Sequence, residues 1–188
     1  MPTRLAILLS GSGRTFLNLH ERIRAGELDA RIRLVIASRK CLGGERARTL
    51  GITTRVLPGE IPAEKLAETL SETQTDVVLC AGYLRKVHVP ESFKGRVLNI
   101  HPAPLSILDD TGAPRFGGPG LYGRHVHEAV LAAHHRGELT ESGCTVHHVT
   151  SEYDRGPIIL ERRCPIEPGD TPDTLADEIA RILSNPQA

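Results

Sequence analysis

The run Leu5-Ala6-Ile7-Leu8-Leu9-Ser10-Gly11-Ser12-Gly13 decides how this chain is read. Five consecutive apolar residues leave no polar face for water, so the run reads as a strand buried on both sides, the pattern of a parallel sheet covered by helices. The Ser/Gly turn then opens a helix, Thr15 to Ala25, with Leu17, Leu19 and Ile23 on its apolar side and Gly26 as its stop. Working outward, the alternation repeats: strand Ile32 to Ala37, helix Gly43 to Leu50, strand Thr53 to Leu57, helix Pro62 to Thr73, strand Asp76 to Cys80 and strand Arg96 to His101. Strand–helix alternation of this size implies right-handed βαβ units. The expected fold class is therefore α/β, an open, mostly parallel twisted sheet with helices on both faces, in a single domain over 1–188.

The second half has a different texture. Leu105 to Gly123 shows no periodicity and holds six glycines and prolines between Gly112 and Gly120. A loop that long in a compact domain is usually functional or disordered. Beyond it the spacing predicts a helix over His125 to His135, strands over Cys144 to Val149 and Ile158 to Pro165, and a last helix over Thr171 to Leu183.

Composition narrows the functional classes. Lys+Arg and Asp+Glu number 23 each, a net charge of +0, which lacks the electrostatic footprint of a nucleic-acid binder. A small neutral or anionic metabolite is the expected partner, with no nucleic acid and no membrane. Aromatic residues make up 3% with no Trp, so the core must be aliphatic. No apolar run approaches the ~18 residues of a membrane span, and the N-terminus lacks the regions of a signal peptide. Cys41, Cys80, Cys144 and Cys164 are scattered without a Cys-x-x-Cys pair, which suits a reducing cytoplasm.

Three motifs carry candidate chemistry. Ser10-Gly11-Ser12-Gly13-Arg14-Thr15 lies between a strand and a helix, where backbone amides favour a phosphate. It is neither a dinucleotide fingerprint nor a Walker A loop, and a purely steric turn explains it about as well. In Asn99-Ile100-His101-Pro102, positions i and i+2 of a strand share a face. An amide that can donate to an oxyanion thus stands beside an imidazole that titrates near neutrality. A backbone-satisfied core histidine is the plainer alternative. Tyr153-Asp154-Arg155-Gly156-Pro157 is a turn by composition, and Asp154 becomes catalytic only in partnership with a histidine. The nine histidines include three close pairs, but none completes a ligand set at metal spacing, so no metal is expected.

Taken together, LAILLSGSGRTFLNL, DVVLCAGYLRKV, RVLNIHPAPL, YGRHVHEAVL and GCTVHHVTSEYDRGPIIL resemble the phosphoribosylglycinamide formyltransferase family of purine biosynthesis, in order, over residues 4 to about 180. Asn-x-His-Pro followed by Thr-Val-His-x-Val and Asp-x-Gly-Pro-Ile-Ile is the specific part. The resemblance implies a Rossmann-like formyltransferase fold and transfer of a formyl group from 10-formyltetrahydrofolate, as co-substrate, to the amine of glycinamide ribonucleotide. It also implies catalytic roles for Asn99, His101 and Asp154, with Asn99 and protonated His101 stabilising the oxyanion and Asp154 moving protons. His147 would support them. Gly13, Arg14 and Thr15 match the loop that holds the ribonucleotide phosphate. Leu84, Arg85 and Val87, with Asn99, match the folate pocket.

Departures from the pattern are local. The family's His-Pro-Ser-Leu-Leu-Pro is His101-Pro102-Ala103-Pro104-Leu105-Ser106 here, and the segment up to Gly120 is expanded. The family's ribonucleotide-binding Gln and Glu align with Ala180 and Leu183, and the strand that follows them in the family is not expected in a sequence that stops at Ala188. Rival readings are a formyltetrahydrofolate hydrolase, a methionyl-tRNA formyltransferase, which needs a further basic domain, and a non-catalytic folate-binding homologue. A monomer and a homodimer are both open.

Overall fold

The computed structural model describes residues 1–184. Its contacts divide into two compact units, Met1–Asn99 and a second from Ile100 onward.

The first unit contains β1 (Thr3–Leu9), α1 (Arg14–Arg24), β2 (Ala30–Ala37), α2 (Leu42–Thr49), β3 (Thr54–Val56), α3 (Ala63–Glu72), β4 (Val77–Cys80) and most of β5 (Val97–His101). The strands are parallel, in the order β3-β2-β1-β4-β5. Leu5 to Leu9 are all buried because β1 is central, flanked by β2 and β4. Leu5, Ile7 and Leu9 form one apolar cluster with Phe16 from α1 and Ile32 and Val35 from β2. Arg4 sets the register at the strand starts, since its backbone N–H and guanidinium both donate to the Asp76 carboxylate at 2.6–2.9 Å. The chain order reverses between β1 and β4, and in open α/β sheets ligands bind at the carboxyl ends of strands flanking such a point.

The second unit contains the end of β5, α4 (Arg124–His135), β6 (Glu141–His148), β7 (Ile158–Pro165) and α5 (Pro172–Ser184), with strand order β5-β6-β7. β6 and β7 are antiparallel, which makes the sheet mostly rather than wholly parallel. β6 starts at Glu141, earlier than its apolar pattern, because Glu141, Ser142 and Gly143 pair with Pro165, Cys164 and Arg163. Such residues are poor strand formers, and here cross-strand pairing overrides their propensity. Phe116, Val126, Val130, Cys144, Leu175 and Ile179 belong to one buried cluster joining α4, α5 and the hairpin. Leu183 packs on this cluster, so its side chain serves the core, and Ala180 is half-buried in the same helix.

The Gly/Pro-rich segment is ordered. Asp109 accepts from the Thr111 N–H, the Thr111 hydroxyl and the Ala113 N–H through one carboxylate oxygen, closing a tight turn. Asp109 N–H to Ala113 O and Arg115 N–H to Ile107 O, both 2.8 Å, complete a small hairpin that the patternless sequence did not reveal. Among the described residues no helix is long and apolar enough to cross a membrane.

Candidate active site

The strand-end loops of the first unit meet through one buried hydroxyl. Ser10 Oγ lies 2.6 Å from Ser38 Oγ and accepts the Leu84 N–H at 2.9 Å, while the Ser10 N–H donates to Gly82 O at 3.0 Å. The loop after β1, carrying Gly13, Arg14 and Thr15, is thereby tied to the segment after β4, carrying Leu84, Arg85 and Val87. Two guanidinium groups engage the loop's carbonyls: Arg39 donates to Ser10 O at 2.9 Å and Arg46 to Ser12 O at 2.8 Å. α1 begins in this loop, and a helix N-terminus is a place where the dipole favours an anion. Val87 forms an isolated parallel bridge with Ile61, fixing the other end of the 84–87 segment, and Leu84 and Arg85 are exposed. Asn99 is half-buried near the carboxyl end of β5, in register with Cys80 of β4.

The second unit brings together His101, His147 and Asp154, the first of which lies 46 and 53 positions before the other two. His101 ends β5 and is 4% exposed; His147 is 2% exposed on β6 at a register shift in the β6–β7 pairing, an irregularity that re-aims a side chain. Asp154 has a left-handed backbone, φ 52°, which is uncommon for a non-glycine residue and often found at functional sites. Two residues later Gly156 is required, because a Cβ there would lie 1.7 Å from His148 O. That close approach folds the Asp154 loop back on β6.

The geometry dictates a proton count. His101 Nε2 lies 2.6 Å from Phe116 O and His147 Nδ1 lies 3.0 Å from His148 O. A carbonyl only accepts, so each of these nitrogens carries a proton, the single one a neutral imidazole has. The remaining nitrogens face the same carboxylate: His101 Nδ1 is 3.6 Å from Asp154 Oδ2 and His147 Nε2 is 3.5 Å from Asp154 Oδ1. With both rings neutral, two lone pairs would point at a carboxylate. One further proton, on either ring, converts a repulsive contact into an ion pair. The charge states of His101 and Asp154 are therefore linked. Both separations are long, as catalytic contacts often are before substrate binds.

Burial pushes the His101 imidazole down, against the upward pull of Asp154 and the Phe116 carbonyl. Burial pushes Asp154 up, but His147, His101 and the Gly118 N–H, 2.9 Å from Oδ2, outweigh it and hold the carboxyl below its ordinary range. The expected protonated His101 is thus not the form burial favours in the free site. Both of its ring nitrogens also have protein partners, so it can act on an oxyanion through its charge rather than through a vacant N–H. Beside Asp154 a cleft of about 570 Å³ is walled by Leu105, Leu108 and Pro114 on one side and Thr150, Glu152 and Arg155 on the other.

Phe116, Gly118, Ser10 and Gly156 contribute contacts that motif reading did not assign. The first two lie in the patternless loop and act through backbone atoms, which leave little sequence signal. A pair of glycines after a lone aromatic was the only available hint.

The first unit thus carries a glycine turn at the end of β1 on an open parallel α/β sheet, and the second a carboxylate that faces two histidines. The formyl transferase family model matches residues 3–185, and the chain belongs to that family. It is 38% identical over 187 residues to the Arabidopsis thaliana chloroplastic phosphoribosylglycinamide formyltransferase, covering 94% of this chain and 60% of that protein. The corresponding Vigna unguiculata protein is 35% identical and covered over 56% of its length, so the chain spans about three fifths or less of these curated relatives. Among solved structures, glycinamide ribonucleotide transformylase 1 from Symbiobacterium toebii superposes with a TM-score of 0.79 at 34% identity, covering 97% of this chain and 82% of that one.

Proposed function

We propose that the protein transfers a formyl group from 10-formyltetrahydrofolate to the amine of glycinamide ribonucleotide, a step of purine biosynthesis, in the cytoplasm. The observation that carries this reading is the Asp154 carboxylate set between two imidazoles whose other nitrogens are committed to backbone carbonyls. Such a cluster stores one mobile proton beside a carboxylate held ionised. Formyl transfer between two nitrogens needs that capacity, because the attacking amine must lose a proton and the departing nitrogen must gain one. The free cysteines, three of them buried, suit a reducing compartment.

In this mechanism the amides of Gly13, Arg14 and Thr15 bind the ribonucleotide phosphate, and Leu84, Arg85 and Val87 receive the folate. The amine attacks the formyl carbon and its C=O pair moves onto oxygen. The Asn99 amide donates to that oxyanion, and the charge of His101 stabilises it when the cluster holds its extra proton. Asp154, with His147, takes the amine proton; the proton is returned to the folate nitrogen as the C–N bond breaks and the carbonyl re-forms. Holding the two substrates in one geometry supplies much of the acceleration.

The test incubates the pure protein with 10-formyltetrahydrofolate, with and without glycinamide ribonucleotide, and follows loss of the formyl group. Loss that depends on the amine is expected. Loss without it would make the protein a hydrolase, and none in either case a folate-binding homologue. Asn99→Ala, His101→Ala and Asp154→Ala should each lower turnover at least a hundredfold, about 2.7 kcal/mol or more, without unfolding the chain. A near-wild-type rate from any one removes that residue from the mechanism.

A further inference from the structure

Three consecutive residues of the expanded loop grip the His101–Asp154 pair through their backbone. Phe116 O accepts the His101 Nε2 proton at 2.6 Å. At Gly117 a Cβ would lie 2.9 Å from the Asp154 Cβ and 2.8 Å from Leu105 Cδ2, so the peptide rests directly on the carboxylate's own side chain. The Gly118 N–H donates to Asp154 Oδ2 at 2.9 Å, the same oxygen that faces His101 Nδ1.

The grip is itself held from both sides. The Phe116 ring is 2% exposed within the core cluster of α4 and α5. Upstream, the Ile107–Arg115 hairpin is closed by Asp109, and the Arg115 guanidinium pairs with Glu138. A backbone carbonyl and a backbone N–H carried by one short stretch cannot move independently. They impose one tautomer on the imidazole and one rotamer on the carboxylate together.

We infer that Phe116-Gly117-Gly118 is the positioning element of the proposed reaction: it fixes the neutral His101 proton on Nε2, leaves Nδ1 to Asp154, and so determines where the shared proton resides. The inference rests on the formyl-transfer reading for its kinetic consequence but not for its structural one. The groups facing His101 are Asp154 and Phe116 O, with His147 across the carboxylate, so any change in the grip is felt by both His101 and Asp154. Constraints of this kind, which fix the tautomer and orientation of a catalytic ring, commonly carry tenfold or larger effects on rate.

The experiment compares wild type with Gly117→Ala and the milder Phe116→Leu. Two readouts are taken: the imidazole ¹⁵N spectrum of His101 across pH, assigned with His101→Gln, and kcat and KM across pH. In wild type the neutral ring should carry its proton on Nε2. Gly117→Ala should mix the tautomers and displace the His101 titration. It should also lower kcat at least tenfold with KM within about twofold and shift the acidic limb of the rate profile, while Phe116→Leu gives the same changes in smaller measure. If Gly117→Ala does not fold, Phe116→Leu carries the comparison. Folded variants that keep the wild-type tautomer, titration and rate profile would overturn the inference. A displaced His101 titration in a protein whose wild type transfers no formyl group would uphold the grip and refute the proposed function instead.

Discussion

Thr145 offers the sharpest energetic test of how the segment after His101 is held. Its hydroxyl, on a residue with no exposed surface, accepts the Leu105 N–H at 3.0 Å and donates to Ala103 O at 2.8 Å. Ala103 and Leu105 are 0% and 2% exposed, so water cannot replace the lost partner. Thr145→Val keeps the shape of the side chain and removes the hydroxyl, leaving one buried N–H and one buried carbonyl unsatisfied. At about 1–3 kcal/mol for each orphaned group the loss is about 2–6 kcal/mol. Thr145→Ser does the opposite, keeping both hydrogen bonds and losing one methyl, which costs about 1 kcal/mol. Urea unfolding at neutral pH measures both. In thermal unfolding the Val variant should fall by roughly 4–24 °C, taking ~2–4 °C per kcal/mol for a chain of this size. If Thr145→Val is as stable as Thr145→Ser or more so, packing rather than hydrogen bonding holds residues 103–105, and the account of that segment is wrong.

Two further outcomes follow from the same interior. Ser142 is fully buried on β6 and its hydroxyl has no hydrogen-bond partner among the described residues, so Ser142→Ala should leave stability unchanged or raise it by up to about 1 kcal/mol; a clear loss in urea unfolding would mean that the hydroxyl is satisfied. The second concerns pH. His101 titrates near 6.5 when unfolded and lower when folded, so between those values the unfolded chain binds more protons and stability rises with pH. Asp154 behaves the same way at more acid pH, since its folded carboxyl lies below its ordinary value. The urea midpoint should therefore drop as pH is lowered from 7 to 5, with a shallower drop in His101→Gln, and a wild-type midpoint that holds or climbs over that interval would contradict the assignment.

The architecture was legible because it is written in periodicity. Leu5 to Leu9 can be apolar throughout only where both faces of a strand are covered, and the strand–helix alternation up to Cys80 then admits few topologies. Strand spacing also pointed to Asn99 and His101, since i and i+2 share a face, whereas Asp154 read as a turn and, with His147, was singled out only by the family resemblance. Other features depend on contacts between distant residues. The early start of β6 arises from pairing with β7, and the hairpin in the Gly/Pro-rich segment from the three bonds that Asp109 accepts. The state of the site belongs to the same class. His101 is buried, its Nε2 proton is taken by Phe116 O, and Asp154 is held by the Gly118 N–H. A backbone carbonyl or N–H is common to nearly every residue, so no side-chain pattern marks the few that end up beside an imidazole. Residue types name the chemistry available to this chain, while burial and backbone placement decide which proton sits where.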